Sequence, residues 1–167
     1  LVTFKETGVK VLPDTPMDSH GAYSGSAMQF GDKLFLFYTG NVRDENWVRH
    51  PHQLGALMGK DGHIEKLGKD LIPKPSNATG HFRDPQIFQY KNHYYAIVGG
   101  QNQEKKGFVR LYRAVNNDYR NWEEIGDLDF KNDNTAYMME CPNLVFVDEK
   151  PVLIYCPQGL DKDVFHY

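Results

Sequence analysis

The sequence lacks the features of several large classes of protein. No apolar run approaches the roughly 18 residues that a membrane-spanning helix needs, so no membrane partner is expected. Basic residues are not in excess: the formal net charge is −3 and the isoelectric point is near 6.2, which argues against an electrostatic nucleic-acid binder. No stretch shows convincing helical periodicity, which disfavours helical folds.

Cysteine is scarce as well. Cys141 and Cys156 are too few for a disulfide-rich secreted scaffold. They flank the Asp148-Glu149 turn symmetrically, which predicts that they face each other across a hairpin, close enough for a strained disulfide. In a reducing cytoplasm, the expected compartment, we expect free thiols. The seven histidines show no metal-ligand spacing, so neither a metal nor a cofactor is expected.

A hairpin pattern repeats about every 58 residues along the chain. Each copy consists of β-branched and aromatic residues around a polar turn, over residues 25–38, 84–98 and 141–155. A second hairpin follows the first two copies, over residues 54–67 and 109–125. Four short strands in each unit are typical of a propeller blade. A β-sandwich shares the strand spacing but not the repeat, and stays the alternative.

The sequence therefore predicts an all-β fold made of about two full four-stranded blades with partial flanking blades. Half a blade stands at the end, and a remnant strand is expected over residues 4–12. Propellers typically need four or more blades to close, so residues 1–167 are expected to form a partial domain that is incomplete at both ends. Exposed blade edges would let such a chain associate with itself.

Blade geometry brings distant residues together. Because adjacent strands are antiparallel, the start of each inner strand lies at the same channel mouth as the loop between the second and third strands. The loops over residues 41–52 and 99–107 share that mouth. The residues predicted to meet there are Tyr23, Ser24, Arg83, Asp84 and Glu140. Two carboxylates converging from separate strands is what glycoside hydrolysis requires.

Three motifs at blade spacing resemble the downstream signatures of glycoside hydrolase family 32, in the same order. They are Tyr23-Ser24-Gly25-Ser26-Ala27, Phe82-Arg83-Asp84-Pro85 and Glu140-Cys141-Pro142. Residues 37–43 and 156–160 are similar to bacterial members that act on sucrose 6-phosphate. The resemblance implies a five-bladed β-propeller and retaining cleavage of the β-fructofuranosidic bond, with sucrose 6-phosphate or sucrose as the small-molecule substrate.

The resemblance also implies a role for each residue. Glu140 matches the acid/base and Asp84 matches the transition-state stabiliser, with Arg83 orienting Asp84 and binding the sugar. Tyr23 and Ser24 are candidates for sugar contact, although ordinary strand packing is nearly as good an interpretation. The family's nucleophile stands in an upstream Asn-Asp-Pro-Asn motif that this chain lacks, since residues 132–134 have no proline. The chain alone is therefore expected to be inactive.

Other functions stay open at this point. A fructan hydrolase or fructosyltransferase of the same family would share the reaction centre, and a non-catalytic propeller piece could bind sugar or protein. On the rim, Arg43 and Arg49 are candidates for binding a phosphate, but a solvated charged loop is the stronger interpretation. Trp122 falls in an outer strand, where a structural role is expected.

Overall fold

Ten antiparallel strands form three sheets in the computed structural model, which describes residues 3, 5, 6, 8–130 and 136–160. The first sheet contains β1 (Ala22–Phe30), β2 (Lys33–Arg43), β3 (Arg49–Met58) and β4 (Ile64–Asp70). The second contains β5 (Ala78–Tyr90), β6 (His93–Asn102), β7 (Gly107–Ala114) and β8 (Trp122–Asp127). The third pairs β9 (Met138–Val147) with β10 (Lys150–Gln158). The described part of the chain also contains a single 3-10 turn, Val115–Asn117. No helix in that part could span a membrane.

This arrangement confirms the predicted two full blades and the half blade. Each sheet follows chain order, so every strand pairs with its sequence neighbour. Two of the tight turns, at Lys91-Asn92 and Asp148-Glu149, have positive φ at both central residues. That backbone conformation matches the right-handed twist of the strands it joins.

The two complete blades pack face to face through aromatic and aliphatic side chains. Phe35, Phe37 and Phe82 are fully buried in this interface. Trp122 of the outer strand β8 stacks on Phe37 with ring centroids 5.8 Å apart, in agreement with the structural role expected for it. Large apolar rings at this interface fix one blade against the next.

Polar side chains link the inner strands β1, β5 and β9. Ser26 Oγ donates to the carbonyl of Pro85 and accepts from the amide of Ile87, at 2.9 Å each. At the equivalent position of the second blade, Gln86 bonds both backbone groups of Leu144. Asn143 holds this position in the third unit, and it is exposed and donates to the carbonyl of Cys141 in its own strand. Inner strands linked side by side in this way fit a propeller and not a sandwich.

Two expectations about the chain were wrong. The remnant strand over residues 4–12 is absent from the part of that stretch that the structure describes, and residues 4 and 7 lie outside it. The Lys66 side chain, and not strand pairing, holds the chain at the end of this stretch. Its Nζ donates to the carbonyl of Leu12, to Asp14 and to the buried Asp18. The loop predicted over residues 41–52 is mostly strand: β2 and β3 pair as far as Arg43 and Arg49.

Candidate active site

Each inner strand carries a β-bulge at the same place. The ladder pairs Arg83 with Gly99 and Gln86 with Ile97, so two residues of β5 stand opposite one of β6. Equivalent shifts occur at Ser24 in β1 and after Glu140 in β9. Asp84 and Cys141 take positive φ values of 65° and 46° in these bulges. Consecutive strand residues normally point to opposite faces, but a bulge re-aims one of them. Arg83 and Asp84 can therefore both face the same pocket.

That pocket has a volume of about 680 Å³. It brings together all five residues that the sequence predicts at the channel mouth: Tyr23, Ser24, Arg83, Asp84 and Glu140. Arg83 and Asp84 are buried, the Glu140 side chain is 27% exposed, and Tyr23 and Ser24 are exposed. The other lining residues are Ala22, Arg49, His81, Tyr137, Cys141 and Gln158.

The Arg83 guanidinium contacts both carboxylates. Its Nε donates to Glu140 Oε1 at 3.2 Å, and Nη2 bonds the same oxygen. Asp84 Oδ2 lies farther from Nε, at 3.9 Å. Arg83 thus holds Glu140 more closely than Asp84, which differs from the predicted pairing. Two charge-assisted bonds to one carboxylate oxygen give Glu140 a defined position between neighbouring blades.

His81 supports the guanidinium from the other side. Burial, together with the charges of Arg83 and Arg49, lowers the pKa of His81, so the imidazole is neutral near pH 7. Its Nδ1 lies 3.0 Å from Arg83 Nη1. An arginine has no acceptor, so Nδ1 must accept this bond and the proton sits on Nε2.

Asp84 is positioned by a buried chain of hydrogen bonds from the first blade. Its amide donates to Thr39 Oγ1 at 2.8 Å. The Thr39 hydroxyl donates to Gln53 Oε1 at 2.9 Å, and Gln53 Nε2 donates to the carbonyl of Phe82 at 3.0 Å. Thr39 and Gln53 thereby bond the main chain on both sides of Arg83 without entering the pocket.

The Asp84 carboxylate has its own environment. Oδ2 accepts the amide of Cys141 at 2.9 Å, which links β5 to β9. Burial raises the pKa of Asp84, and the charge of Glu140 acts in the same direction, against the opposing effects of the Cys141 amide and Arg83. The charged form of a carboxylate is less stable when it is buried beside another carboxylate than it is in water. Carboxylates in such surroundings are typical of sites that stabilise a developing positive charge.

Several residues of the site were not predicted from the sequence. Gln158, at the end of β10, donates to Glu140 Oε2 at 2.5 Å. Thr39 and Gln158 lie in stretches that carry the family resemblance, so a signal for them existed. Gln53 and Tyr137 lie in none of the quoted motifs, and only the packing of the blades places them.

Both cysteines are free and exposed, as expected for thiols. Their predicted symmetric pairing is wrong because the bulge shifts the register, so that Cys156 stands opposite Glu140 and not Cys141. Although Cys141 is exposed as a residue, its neighbours partly shield the thiol from water, and this desolvation, together with the nearby Asp84 charge, raises the pKa of Cys141. Within the described ranges, no group of three or more His, Cys, Asp or Glu side chains could hold a metal ion.

Blades arranged side by side, with carboxylates from two neighbouring inner strands in one pocket, define part of a β-propeller of the kind found in glycosidases. Residues 1–167 match the family profile described as the glycosyl hydrolases family 32 N-terminal domain. The chain belongs to glycoside hydrolase family 32.

Named relatives agree with this assignment. The chain is 64% identical over its whole length to a sucrose-6-phosphate hydrolase of Streptococcus mutans, of which it covers 35%. The structure of a sucrose-6-phosphate hydrolase from Lactobacillus gasseri is 47% identical with a TM-score of 0.88, over 94% of this chain and 32% of that one. A Bombyx mori β-fructofuranosidase in complex with sucrose is 34% identical with a TM-score of 0.73, over 85% of this chain and 30% of that one. The chain spans about a third of the length of these proteins.

Proposed function

We propose that the chain forms the central part of a retaining β-fructofuranosidase that hydrolyses sucrose 6-phosphate or sucrose. The observation that carries this proposal is the contact of Arg83 with both Glu140 and Asp84 in one pocket, since family resemblance gives both acids catalytic roles. The identity to sucrose-6-phosphate hydrolases supports the choice of substrate.

In the proposed reaction, protonated Glu140 donates its proton to the glycosidic oxygen as the bond to the fructosyl carbon breaks. A carboxylate nucleophile attacks that carbon and forms a glycosyl ester. Glu140, now a carboxylate, takes a proton from water, and the resulting hydroxide displaces the ester and releases fructose. Arg83 and Gln158, each bonded to one Glu140 oxygen, keep the carboxyl in place through both steps.

Asp84 would accept hydrogen bonds from fructose hydroxyls and favour the oxocarbenium-like transition state by its negative charge. Its rigid support from Thr39 and from the Cys141 amide keeps it in one position, so little reorganisation is needed as the charge develops. Arg83 lines the pocket and would also bind the sugar. The exposed side chains of Tyr23 and Ser24 are suited to contact the sugar from the rim.

The nucleophile is expected in a segment outside these 167 residues, because the chain lacks the family's Asn-Asp-Pro-Asn motif. Residues 132–134, the partial match, lie outside the described residues. The isolated chain should therefore not turn over substrate. Its two free, exposed cysteines suit a reducing cytoplasm, which we propose as the compartment.

The decisive experiment replaces the acid/base in a protein of the relatives' length that contains this chain. Glu140→Gln should lower kcat by about 10²–10⁴-fold while sucrose still binds. Glu104→Gln is the matched control, because Glu104 lies in an exposed turn and its side chain is 73% accessible. Unchanged turnover in the Glu140→Gln variant would contradict the role of Glu140 and favour a binding function.

Substrate choice needs a separate comparison. Fructan hydrolases and fructosyltransferases share the proposed reaction, so the same protein should be assayed on sucrose, sucrose 6-phosphate and inulin. We expect kcat/KM to be highest on sucrose 6-phosphate. A strong preference for inulin, or transfer of fructose to sugar in place of water, would replace the hydrolase proposal.

We also propose that the isolated chain associates with itself through the half blade. Val145, Phe146, Val147, Val152 and Ile154 are exposed on β9 and β10. An unpartnered two-stranded sheet with apolar side chains tends to pair with another edge. Sedimentation of the isolated chain should show dimers or larger species that grow with concentration, and a strictly monomeric profile at high concentration would contradict this.

A further inference from the structure

Among the residues that the structure describes, Arg49 is the arginine whose side chain has no hydrogen-bond partner. All six arginines lie in the described part of the chain, and the other five donate to a neighbouring oxygen or imidazole: Arg43 to Trp47, Arg83 to Glu140, Arg110 to Glu124 and Asp127, Arg113 to His93, and Arg120 to Asp118. Arg49 Nε is buried and bonds nothing among the described residues. No carboxylate among them lies within ion-pair distance of its guanidinium.

The surroundings of Arg49 are unfavourable for an unpaired cation. Burial lowers its pKa, and the positive charges of Arg83 and Arg43 lower it further. Arg43 stands directly opposite Arg49 in the β2–β3 ladder, so two like charges face each other at the hairpin end. A buried donor without an acceptor carries a desolvation cost that a bound anion would remove.

Arg43 and Arg49 differ in what they can offer a ligand. Arg43 Nη1 donates to the Trp47 carbonyl, and its guanidinium lies 5.6 Å from the centroid of the Trp47 ring. Arg49 lines the pocket that also contains Glu140 and Asp84. The interpretation as a solvated charged loop therefore holds for residues 44–48, which lie between β2 and β3. It does not hold for Arg49, which lines the pocket.

We propose that Arg49 binds the phosphate group of the substrate and so selects sucrose 6-phosphate over sucrose. This inference rests on the proposed function. A guanidinium presents a planar fork of donors that matches a phosphate, whereas the hydroxymethyl group of unphosphorylated sucrose offers no charge. Arg49 enters the pocket from the β2–β3 hairpin at the rim, and no hydrogen bond joins its side chain to Arg83, Glu140 or Asp84. Its role is specificity and not the chemical step.

The kinetic test compares two sugars in a protein of the relatives' length that contains this chain. Arg49→Gln should lower kcat/KM for sucrose 6-phosphate by about 10–100-fold, mainly through KM, and leave sucrose within about threefold. Arg49→Lys should keep part of the preference, because an ammonium still attracts phosphate without the fork. Arg43→Gln is the control and should change neither sugar by more than about threefold. Equal losses on both sugars, or no loss on either, would overturn the proposal.

A binding measurement keeps the inference independent of turnover. Calorimetry with the reaction products as probes needs no hydrolysis: glucose 6-phosphate should bind about 10–100-fold more weakly to the Arg49→Gln variant than to the unmodified protein, and glucose should bind equally to both. If neither sugar is hydrolysed by the unmodified protein, the proposed function fails, but this comparison still decides the role of Arg49. Unchanged glucose 6-phosphate binding would refute it.

Discussion

Thr39 offers the sharpest test of how the first blade supports the site in the second. Its hydroxyl accepts from the Asp84 amide and donates to Gln53, and both Thr39 and Gln53 are at most 1% exposed. Thr39→Val keeps the shape of the side chain but removes both hydrogen bonds. The Asp84 N–H and Gln53 Oε1 are then left buried without a partner.

The expected magnitude follows from those two groups. An unsatisfied buried polar group costs about 1–3 kcal/mol, so the two together should lower the free energy of unfolding by about 2–6 kcal/mol. Asp84 has a positive φ, which is unfavourable for a residue other than glycine, so a weaker support should also let its carboxylate move. We expect kcat/KM to fall at least about 10-fold, because small misplacements of catalytic groups are costly.

Urea unfolding and steady-state hydrolysis of sucrose would measure the two effects in a protein of the relatives' length. Thr39→Ser is the matched variant, since it keeps the hydroxyl and removes only a methyl group. It should lose about 1 kcal/mol of stability and retain most of the activity. If Thr39→Val behaves like the unmodified protein, or if Thr39→Ser loses as much as Thr39→Val, the hydrogen-bond chain does not support the site.

Three further predictions concern Asp84, Asp18 and Gly99. Burial raises the pKa of Asp84, so the folded chain binds this proton more tightly than the unfolded chain does, and the stability that the proton provides is lost as pH rises through the folded pKa. Asp84→Asn should therefore raise the midpoint of thermal unfolding at pH 7, with a gain that disappears in acid, while hydrolysis is lost. Burial tends to raise the pKa of Asp18, but hydrogen bonds from Lys66, Thr15 and Tyr38 outweigh it and lower the pKa, so this carboxylate stabilises the fold above its unfolded pKa near 4. Asp18→Asn should cost about 2–3 kcal/mol in urea unfolding at pH 7, and a difference that persists unchanged at pH 3 would contradict the ionic origin. A Cβ at Gly99 would lie 1.9 Å from the carbonyl oxygen of Met139, the residue before Glu140. Gly99→Ala should therefore shift β9 and lower kcat/KM at least about 10-fold. An unaltered rate would show that β9 adapts without moving Glu140.

The hairpins, the two complete blades and the meeting of Asp84 with Glu140 could be predicted from the sequence. Apolar alternation and turn residues are local signals, so each strand encodes its own pattern, as in the Lys91-Asn92 and Asp148-Glu149 turns. Once the blade repeat is known, antiparallel pairing decides which strand ends share a mouth. That rule alone predicts that Tyr23, Ser24, Arg83, Asp84 and Glu140 meet at one mouth, and all five line one pocket in the structure.

The β-bulges and the long-range hydrogen bonds that position the pocket residues depended on the tertiary structure. The bulges at Asp84 and Cys141 moved the register by one residue, which no alternation pattern records, and this invalidated the symmetric cysteine pairing. Thr39 supports Asp84 across 45 residues of sequence, and Arg83 reaches Glu140 across 57. Hydrogen bonds between side chains so far apart in sequence form only after the blades pack, because packing alone brings their atoms within bonding distance. For the same reason, the sequence predicts Arg49 only as a cation on the rim, whereas the folded chain shows that its buried Nε has no hydrogen-bond partner among the described residues.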